Sequence, residues 1–182
     1  LNGTQKSPIT INCGSSQSGL AVIQAKESST IRHAVFNHCS SPAIGLWSLT
    51  GAVTFYESPV KIFSSKFFDN RSEDSLNIVR STFEFINSEI DTTASDAFDG
   101  DFVNGKIVNS KFSNCGNDCL DFSGSTIGIS HSQMVVAGDK GISIGEKSRA
   151  IIEQLSLKKT NIAIASKDSS IIHGKNIDIK TS

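Results

Sequence analysis

The segments DSLNIVRSTFEFINSEIDTTAS (74–95), DAFDGDFVNGKIVNSKFSNCGN (96–117), DCLDFSGSTIGISHSQMVVAGD (118–139) and KGISIGEKSRAIIEQLSLKKTN (140–161) decide the fold of this chain, because they repeat one pattern every 22 residues. In register they form three apolar columns and one serine column: Leu76, Phe98, Leu120 and Ile142; Phe85, Ile107, Ile129 and Ile151; Ile90, Phe112 and Met134; and Ser88, Ser110 and Ser132. A unit of this size cannot bury its apolar face alone. Repeats of this period therefore stack into a solenoid.

Each repeat has the alternation of β-strands rather than the periodicity of helices. Leu76 and Ile78 are apolar with a polar residue between them, and the same spacing recurs at Leu120 and Phe122. Gly, Asn, Asp and Ser interrupt these short runs, as turns require. Long runs with a 3.6-residue period are missing from the sequence. The sequence therefore predicts an all-β fold, a right-handed parallel β-helix of about seven coils stacked ~4.8 Å apart.

We expect residues 1–182 to form a single elongated domain. The strand pattern at Ile177–Ile179 has no obvious cap, which favours an excerpt of a longer chain whose other domains or copies cover the solenoid ends. The coil from Pro42 to Glu73 is longer than its neighbours by about ten residues. We predict that the excess lies within residues 50–58, as a loop or extra strand pair overhanging one face.

Composition argues against several function classes. The net charge of −1 at pH 7 disfavours nucleic acid as the main partner, and the sequence contains no apolar run long enough for a membrane span. It has no phosphate-binding glycine loop, and its Gly-x-Ser-x-Gly sequence at 141–145 is part of the repeated strand pattern. Residues 69–121 hold eleven acidic and four basic residues, whereas the chain after Asp139 is net basic. This asymmetry fits a site for a cation or polar ligand, and an ordinary solvated surface is the alternative.

The four cysteines lack the Cys-x-x-Cys spacing of zinc ribbons. Cys13 and Cys39 are about one coil apart, and Cys115 and Cys119 flank a Gly-Asn-Asp turn. Two interpretations stay open, disulfides in an oxidising compartment or thiols buried in the core. Disulfides would place the protein outside the cell, at the cell surface or in a periplasm.

Strand alternation predicts one outward face rich in carboxylates. With even-numbered residues pointing inward, Asp99 and Asp121 share an outward column, and Asp101 lies in the next column with Trp47 and Lys167. Asp96, Asp118 and Lys140 lie at the corner before these strands. Like charges stacked at rung spacing repel one another. The arrangement therefore requires compensation.

Three kinds of compensation are consistent with this pattern. Asp99, Asp101 and Asp121 are candidate ligands for Ca²⁺, which binds several carboxylate oxygens. Alternatively, one carboxyl is protonated with a raised pKa and acts as a general acid. Lys140 would neutralise a neighbour or act as a base. Turn capping explains Asp at the corners, but it does not explain Asp in the middle of strands.

Two further residues are candidates for binding substrate. Trp47 is the only tryptophan, and an exposed aromatic ring beside polar groups is a platform for a sugar ring; the alternative is that the inserted segment covers it. Lys167 continues the same column. The histidines at 33, 38, 131 and 173 have no metal-binding spacing and are interpreted as turn or ladder residues.

Several of these segments resemble polygalacturonase-type glycoside hydrolases of the pectin-lyase-like superfamily. That family's motifs Asn-Thr-Asp-Gly, Gly-Asp-Asp-Cys, Gly-His-Gly-Ile-Ser-Ile-Gly and Arg-Ile-Lys correspond to Ala-Ser-Asp-Ala (94–97), Gly-Asn-Asp-Cys (116–119), Asp-Lys-Gly-Ile-Ser-Ile-Gly (139–145) and Ile-Ala-Ile-Ala (162–165). Asp96 and Asp118 match two acidic positions of the family. Asn117 replaces an Asp, Lys140 replaces the His, and Ala163 and Ala165 replace the Arg and Lys. Other members of the superfamily are lyases that use Ca²⁺ held by strand Asp residues with a Lys or Arg base.

The resemblance implies a right-handed β-helix directed at carbohydrate. The expected catalytic set is Asp96, Asp99, Asp101, Asp118, Asp121 and Lys140. As an enzyme the chain would be a polysaccharide lyase or a glycoside hydrolase. The alternatives are a non-catalytic surface adhesin, in which the acidic face binds Ca²⁺ for rigidity, and a structural stalk or fibre.

Overall fold

The computed structural model of the chain describes residues 1–14, 18–44 and 47–180, without the side chains of residues 44, 47 and 48. Within these residues all regular structure is β. In chain order the strands are β1 (Ile9–Asn12), β2 (Leu20–Ile23), β3 (Ser29–Arg32), β4 (Ala34–Asn37), β5 (Ala43–Ile44), β6 (Trp47–Ser48), β7 (Gly51–Tyr56), β8 (Val60–Phe63), β9 (Lys66–Asn70), β10 (Asp74–Val79), β11 (Thr82–Ile86), β12 (Glu89–Thr93), β13 (Asp96–Asp101), β14 (Asn104–Val108), β15 (Lys111–Cys115), β16 (Leu120–Ser123), β17 (Thr126–Ser130), β18 (Gln133–Gly145), β19 (Arg149–Ser166) and β20 (Ile171–Lys180). The described residues include no helix that could span a membrane.

The strands form three parallel stacks that wind around one core. The first stack contains β2, β7, β10, β13, β16 and the ends of β18 and β19; the second contains β3, β8, β11, β14, β17 and the starts of β19 and β20; the third contains β1, β4, β9, β12, β15 and the remaining parts of β18, β19 and β20. The molecule is a parallel β-solenoid of about 7 turns, with equivalent residues ~22 apart. This confirms the fold class predicted from the repeat.

Left-handed backbone conformations mark three positions in each turn. The three columns with positive φ are Gln24, Glu57, Arg80, Phe102, Gly124, Glu146 and Asp168; His33, Ser64, Asn87, Asn109, His131, Gln154 and Asn176; and His38, Asp69, Thr92, Asn114, Val136 and Lys159. The first column follows the first stack, the second follows the second stack, and most of the third lies in third-stack strands. A left-handed residue redirects an extended chain within one position. Three histidines therefore occupy turn positions, as predicted.

The core consists of apolar ladders in register. Phe98 pairs with Leu120 and Leu120 with Ile142, and all three side chains are fully buried. Aromatic rings add contacts along the axis, with Phe36 and Phe67 centroids 4.9 Å apart and Phe98 and Phe122 centroids 5.3 Å apart. These ladders confirm the predicted inward direction of the even-numbered residues.

One predicted column contains a one-residue error. Ile129 pairs with Ile152 rather than Ile151, which is 59% exposed. The cause is the preceding corner, where Glu146 and Lys147 both have positive φ, whereas the turn before it uses Gly124 alone. The additional corner residue shifts the register of the following strand by one, which reverses the direction of its side chains.

The inserted residues come earlier in the chain than segment 50–58, in which the insertion was predicted. Residues 51–56 form β7, a regular first-stack strand that pairs with β2 and β10, so segment 50–58 is not the insertion. The excess lies between β4 and β7, where β5 and β6 form a two-stranded antiparallel hairpin. The hydrophobic runs at 43–47 and 52–56 resemble each other, and only core packing distinguishes the strand that continues the ladder.

Both cysteine pairs form disulfides. Cys13 is bonded to Cys39 and Cys115 to Cys119. The second bridge spans the turn that carries Asp118. Of the two interpretations left open by the sequence, the structure has the disulfides.

Candidate functional site

The outer side of the first stack carries the predicted carboxylates in register. One column contains Thr54, Asn77, Asp99, Asp121 and Ser143, and the next contains Tyr56, Val79, Asp101, Ser123 and Gly145. Asp74 and Asp96 pair at the start of these strands. We call Asp74, Asp96, Asp99, Asp101, Asp118 and Asp121 the acidic face. Neighbouring rungs of a sheet are ~4.8 Å apart, so this face concentrates negative charge.

A glycine beneath the acidic face leaves room for an aromatic ring of the core. Gly100 lies between Asp99 and Asp101 and points inward, and a Cβ built there would lie 2.5 Å from the Phe122 ring. Any larger residue at position 100 would displace that ring. The Asp-Gly-Asp sequence thus places two carboxylates outside while a phenyl ring fills the space inside.

Asp99 lies at the centre of the acidic face in a partly desolvated position. Asn77 Nδ2 donates a hydrogen bond to Asp99 Oδ2 over 2.7 Å. Burial raises the pKa of Asp99 to about 9, and the charges of Asp74, Asp101 and Asp121 add to the effect. A carboxyl in this environment is protonated at neutral pH.

Asp74 is a buried carboxyl, with 3% of its surface exposed. Burial raises its pKa to about 7, a hydrogen bond from the Thr50 side chain opposes the rise, and Asp96 adds to it. Its Oδ2 atom is buried without a hydrogen-bond partner among the described residues. Asp74 therefore titrates close to neutral pH.

Asp101 and Asp121 are half-buried carboxyls with smaller shifts. Burial raises the pKa of Asp101, and the charges of Glu146 and Asp121 add to the rise. Burial also raises the pKa of Asp121, while the neighbouring Ser143 hydroxyl and the charge of Lys167 oppose the rise. Lys167 is thus placed beside the acidic face, as predicted.

Asp96 and Asp118 have the capping role that was the alternative for corner residues. Asp96 Oδ1 accepts the backbone N–H of Asp118 at 2.9 Å and the Asn117 side-chain amide at 2.8 Å. One rung further, Asp118 Oδ1 accepts the backbone N–H of Lys140 at 2.9 Å. Burial raises the pKa of Asp118, and these contacts with Lys140 oppose the rise.

Lys140 is engaged in ion pairs. Its Nζ atom contacts the carboxylate of Asp139 and lies 3.4 Å from Asp118 Oδ1. The hydrogen bond with Asp139 is the main cause that raises the pKa of Lys140. An ammonium group held in this way is a poor proton acceptor, so the geometry does not favour the predicted role of Lys140 as a base.

Two predictions about this face remain, the position of Trp47 and the binding of Ca²⁺. The side chain of Trp47 lies outside the described part of the chain, and Tyr56 occupies the column predicted for Trp47. Among the described residues, no group of three or more His, Cys, Asp or Glu side chains is arranged to hold a metal ion. Calcium binding by Asp99, Asp101 and Asp121 stays a prediction.

Sequence reasoning did not identify Phe102. This residue follows Asp101 at the first corner, with positive φ and 54% of its surface exposed. Each other described residue in that corner column is polar, charged or glycine. The sequence signal that could have identified Phe102 is an apolar residue at the corner position that follows an acidic strand.

Comparison with protein-family models, with curated proteins and with solved structures gives no significant match.

Proposed function

We propose that this protein hydrolyses a polysaccharide at the acidic face, with Asp99 as proton donor and Asp121 as the ionised carboxylate. The observation that carries the proposal is the position of these two carboxyls on adjacent rungs: burial raises the pKa of Asp99 to about 9, whereas the charge of Lys167 opposes the rise that burial causes in the pKa of Asp121. Glycoside hydrolysis needs such a pair, one carboxyl protonated and one ionised.

The proposal assigns the proton of Asp99 to Oδ1, because Oδ2 accepts a hydrogen bond from Asn77. From Oδ1 it can be donated to the oxygen of the leaving sugar. The ~4.8 Å between paired backbones is of the same order as the ≈ 5–5.5 Å carboxyl separation of retaining glycosidases. In this proposal Asp121 acts as nucleophile or stabilises developing positive charge.

Lyase chemistry has weaker support. It requires a basic side chain that removes the proton next to a uronate carboxylate, and Lys140 is bound to Asp139 and Asp118. The engagement of Lys140 also favours a second candidate, non-catalytic binding of a polysaccharide to the same face. The two disulfides support an extracellular, cell-surface or periplasmic location for either function.

A reducing-end assay over a panel of soluble polysaccharides tests the proposal. We expect activity with at least one polysaccharide, a loss of about 10²-fold or more in Asp99→Asn and Asp121→Asn, and no loss in Asp178→Asn, a matched control in the last strand. Activity should also fall as pH rises toward about 9, where Asp99 ionises. Wild-type activity in both face variants would contradict the assignment. Polysaccharide binding without new reducing ends would favour the non-catalytic candidate.

Two additional measurements test for lyase activity and for calcium binding. Unsaturated products that absorb ultraviolet light would indicate a lyase. A rise in melting temperature with Ca²⁺ but not with Mg²⁺ would support the calcium prediction, because a ligand that binds only the folded state stabilises it.

A further inference from the structure

We infer that the substrate is an uncharged sugar chain and that the Phe102 ring holds one of its sugar units beside the acidic face. This inference rests on the proposed function and specifies its substrate class. Two independent observations support it, the charge of the face and the environment of Phe102.

The charge of the face opposes an anionic polysaccharide. Asp96, Asp101 and Asp121 contribute negative charge, and the charge of Glu146 acts on Asp101. The nearest cations already face carboxylates: Lys140 contacts Asp139 and Asp118, the charge of Lys167 acts on Asp121, and Arg80 Nη1 lies 4.0 Å from Glu57 Oε1. A uronate or sulfated chain would bring further anions to this surface, and opposed like charges are costly at an interface. Hydroxyl groups, in contrast, donate hydrogen bonds to carboxylates at no such cost.

Phe102 provides an apolar surface next to these carboxylates. It follows Asp101 directly, and more than half of the residue is exposed. The Arg80 guanidinium lies 5.8 Å from the ring centroid, and Arg80 also donates to the Tyr56 hydroxyl at 3.4 Å. These contacts connect the Phe102 corner to the Tyr56 and Asp101 column of the face.

The backbone next to Phe102 accommodates the ring. Gly124 occupies the same corner on the next rung with φ +62°, and a Cβ built there would lie 2.5 Å from the ring. A side chain at position 124 would therefore displace the ring from its place across that rung. The absence of a Cβ at position 124 leaves room for the ring of Phe102 across that rung.

The space beside the ring suits one sugar unit. A shallow depression of about 430 Å³ lies there, with Glu57, Arg80, Thr82 and Asn104 among its lining residues. A pyranose presents C–H groups on its face and hydroxyls at its edge. The ring of Phe102 would contact the C–H face, while the surrounding carboxylate, guanidinium, hydroxyl and amide groups would bind the hydroxyls.

Affinity electrophoresis tests the inference with defined probes. Hydroxyethyl cellulose, arabinoxylan and galactomannan serve as neutral chains, and polygalacturonate and alginate as anionic ones, all at near-physiological salt. We expect a neutral chain to retard the wild type and the polyuronates to have no effect. Phe102→Ala should weaken binding at least about tenfold, whereas Phe102→Trp should retain it. Ile151→Ala, which removes an exposed apolar side chain from the second stack, is the matched control.

The possible failures are distinguishable. If Asp101→Asn/Asp121→Asn weakens retardation and Phe102→Ala does not, polysaccharide binding at the acidic face stands and the Phe102 subsite is wrong. If polyuronates retard the wild type as strongly as neutral chains, the inferred substrate class is wrong. If none of the five probes retards the wild type, the inference falls together with polysaccharide binding at this face.

Discussion

Ile151 and Ile152 are neighbours in sequence but lie on opposite sides of the same strand. Ile152 is 1% exposed and continues the column of Ile129, whereas Ile151 is 59% exposed. We expect Ile152→Ala to lower the free energy of unfolding by about 2–5 kcal/mol, because it leaves a cavity in the core. Ile151→Ala should change it by less than about 0.5 kcal/mol. Chemical denaturation of both variants measures the difference, and a larger loss in Ile151→Ala than in Ile152→Ala would show that the register is that of the unshifted repeat.

The pH dependence of stability is also a property of single residues. The pKa of Asp74 is raised to about 7 and that of Asp99 to about 9, so the folded state keeps protons that the unfolded chain has released. The two protonated carboxyls contribute fully to stability below pH ~4. This contribution is lost as pH rises through their folded-state pKa values. The slope is about −1.4 kcal/mol per pH unit for each group while it stays protonated only in the folded state.

We therefore expect the melting temperature to fall between pH 5 and pH 9. Asp99→Asn keeps a neutral side chain at this position, so it should flatten the fall and melt above the wild type at pH 8. Asp178→Asn should leave the curve unchanged. A wild-type melting temperature that rises over this range would contradict the protonated state of Asp99.

At the scale of the element, serine ladders connect one turn to the next. The Oγ atom of Ser110 accepts the backbone N–H of Ser88 at 3.2 Å and donates to the Val108 carbonyl at 2.9 Å. Ser88 and Ser132 repeat this arrangement. A second ladder runs through Ser125, Ser148 and Ser170. Each hydroxyl thus satisfies a buried N–H between two strands, where the sheet hydrogen bonds are interrupted.

We expect Ser110→Ala to destabilise the fold by about 1–3 kcal/mol, because it leaves the buried N–H of Ser88 without its acceptor. Ser130→Ala, at the outer side of the second stack, should cost less than about 0.5 kcal/mol. Thermal or urea unfolding provides the measurement. An unchanged Ser110→Ala variant would mean that water replaces the hydroxyl.

The serine ladder and the apolar ladders were predictable because they recur at a constant spacing. The corner between β18 and β19 was not, because two left-handed residues replace one and nothing in the residue types at 146–148 marks the additional position. The hairpin β5–β6 was misplaced for a related reason. Both candidate runs are apolar, and burial in the ladder decides between them.

At the scale of the whole molecule, each turn is stabilised mainly by the turns on either side of it. Leu120 lies between Phe98 and Ile142 and is fully buried. We expect Leu120→Asp to unfold several turns rather than one, because it places a charge between apolar neighbours in an array stabilised by nearest-neighbour contacts. Hydrogen exchange resolved along the chain measures the extent. Leu120→Met preserves the volume and should cost less than about 1.5 kcal/mol. A cooperatively melting, soluble Leu120→Asp variant with wild-type protection would contradict the packing.

The sequence by itself determined the repeat, the strand type, the buried columns and the rungs that carry Asp99, Asp101 and Asp121, because the alternation of two and the spacing of about 22 residues are local properties. Only the tertiary structure decided which acidic residues are capped, protonated or paired. Asp118 meets Lys140, Asp99 accepts from Asn77, and Asp74 is enclosed near Thr50. These environments depend on contacts between turns and on burial, which set the cost of charge. The exposed ring of Phe102 likewise depends on Gly124, one rung away in space and 22 residues away in sequence.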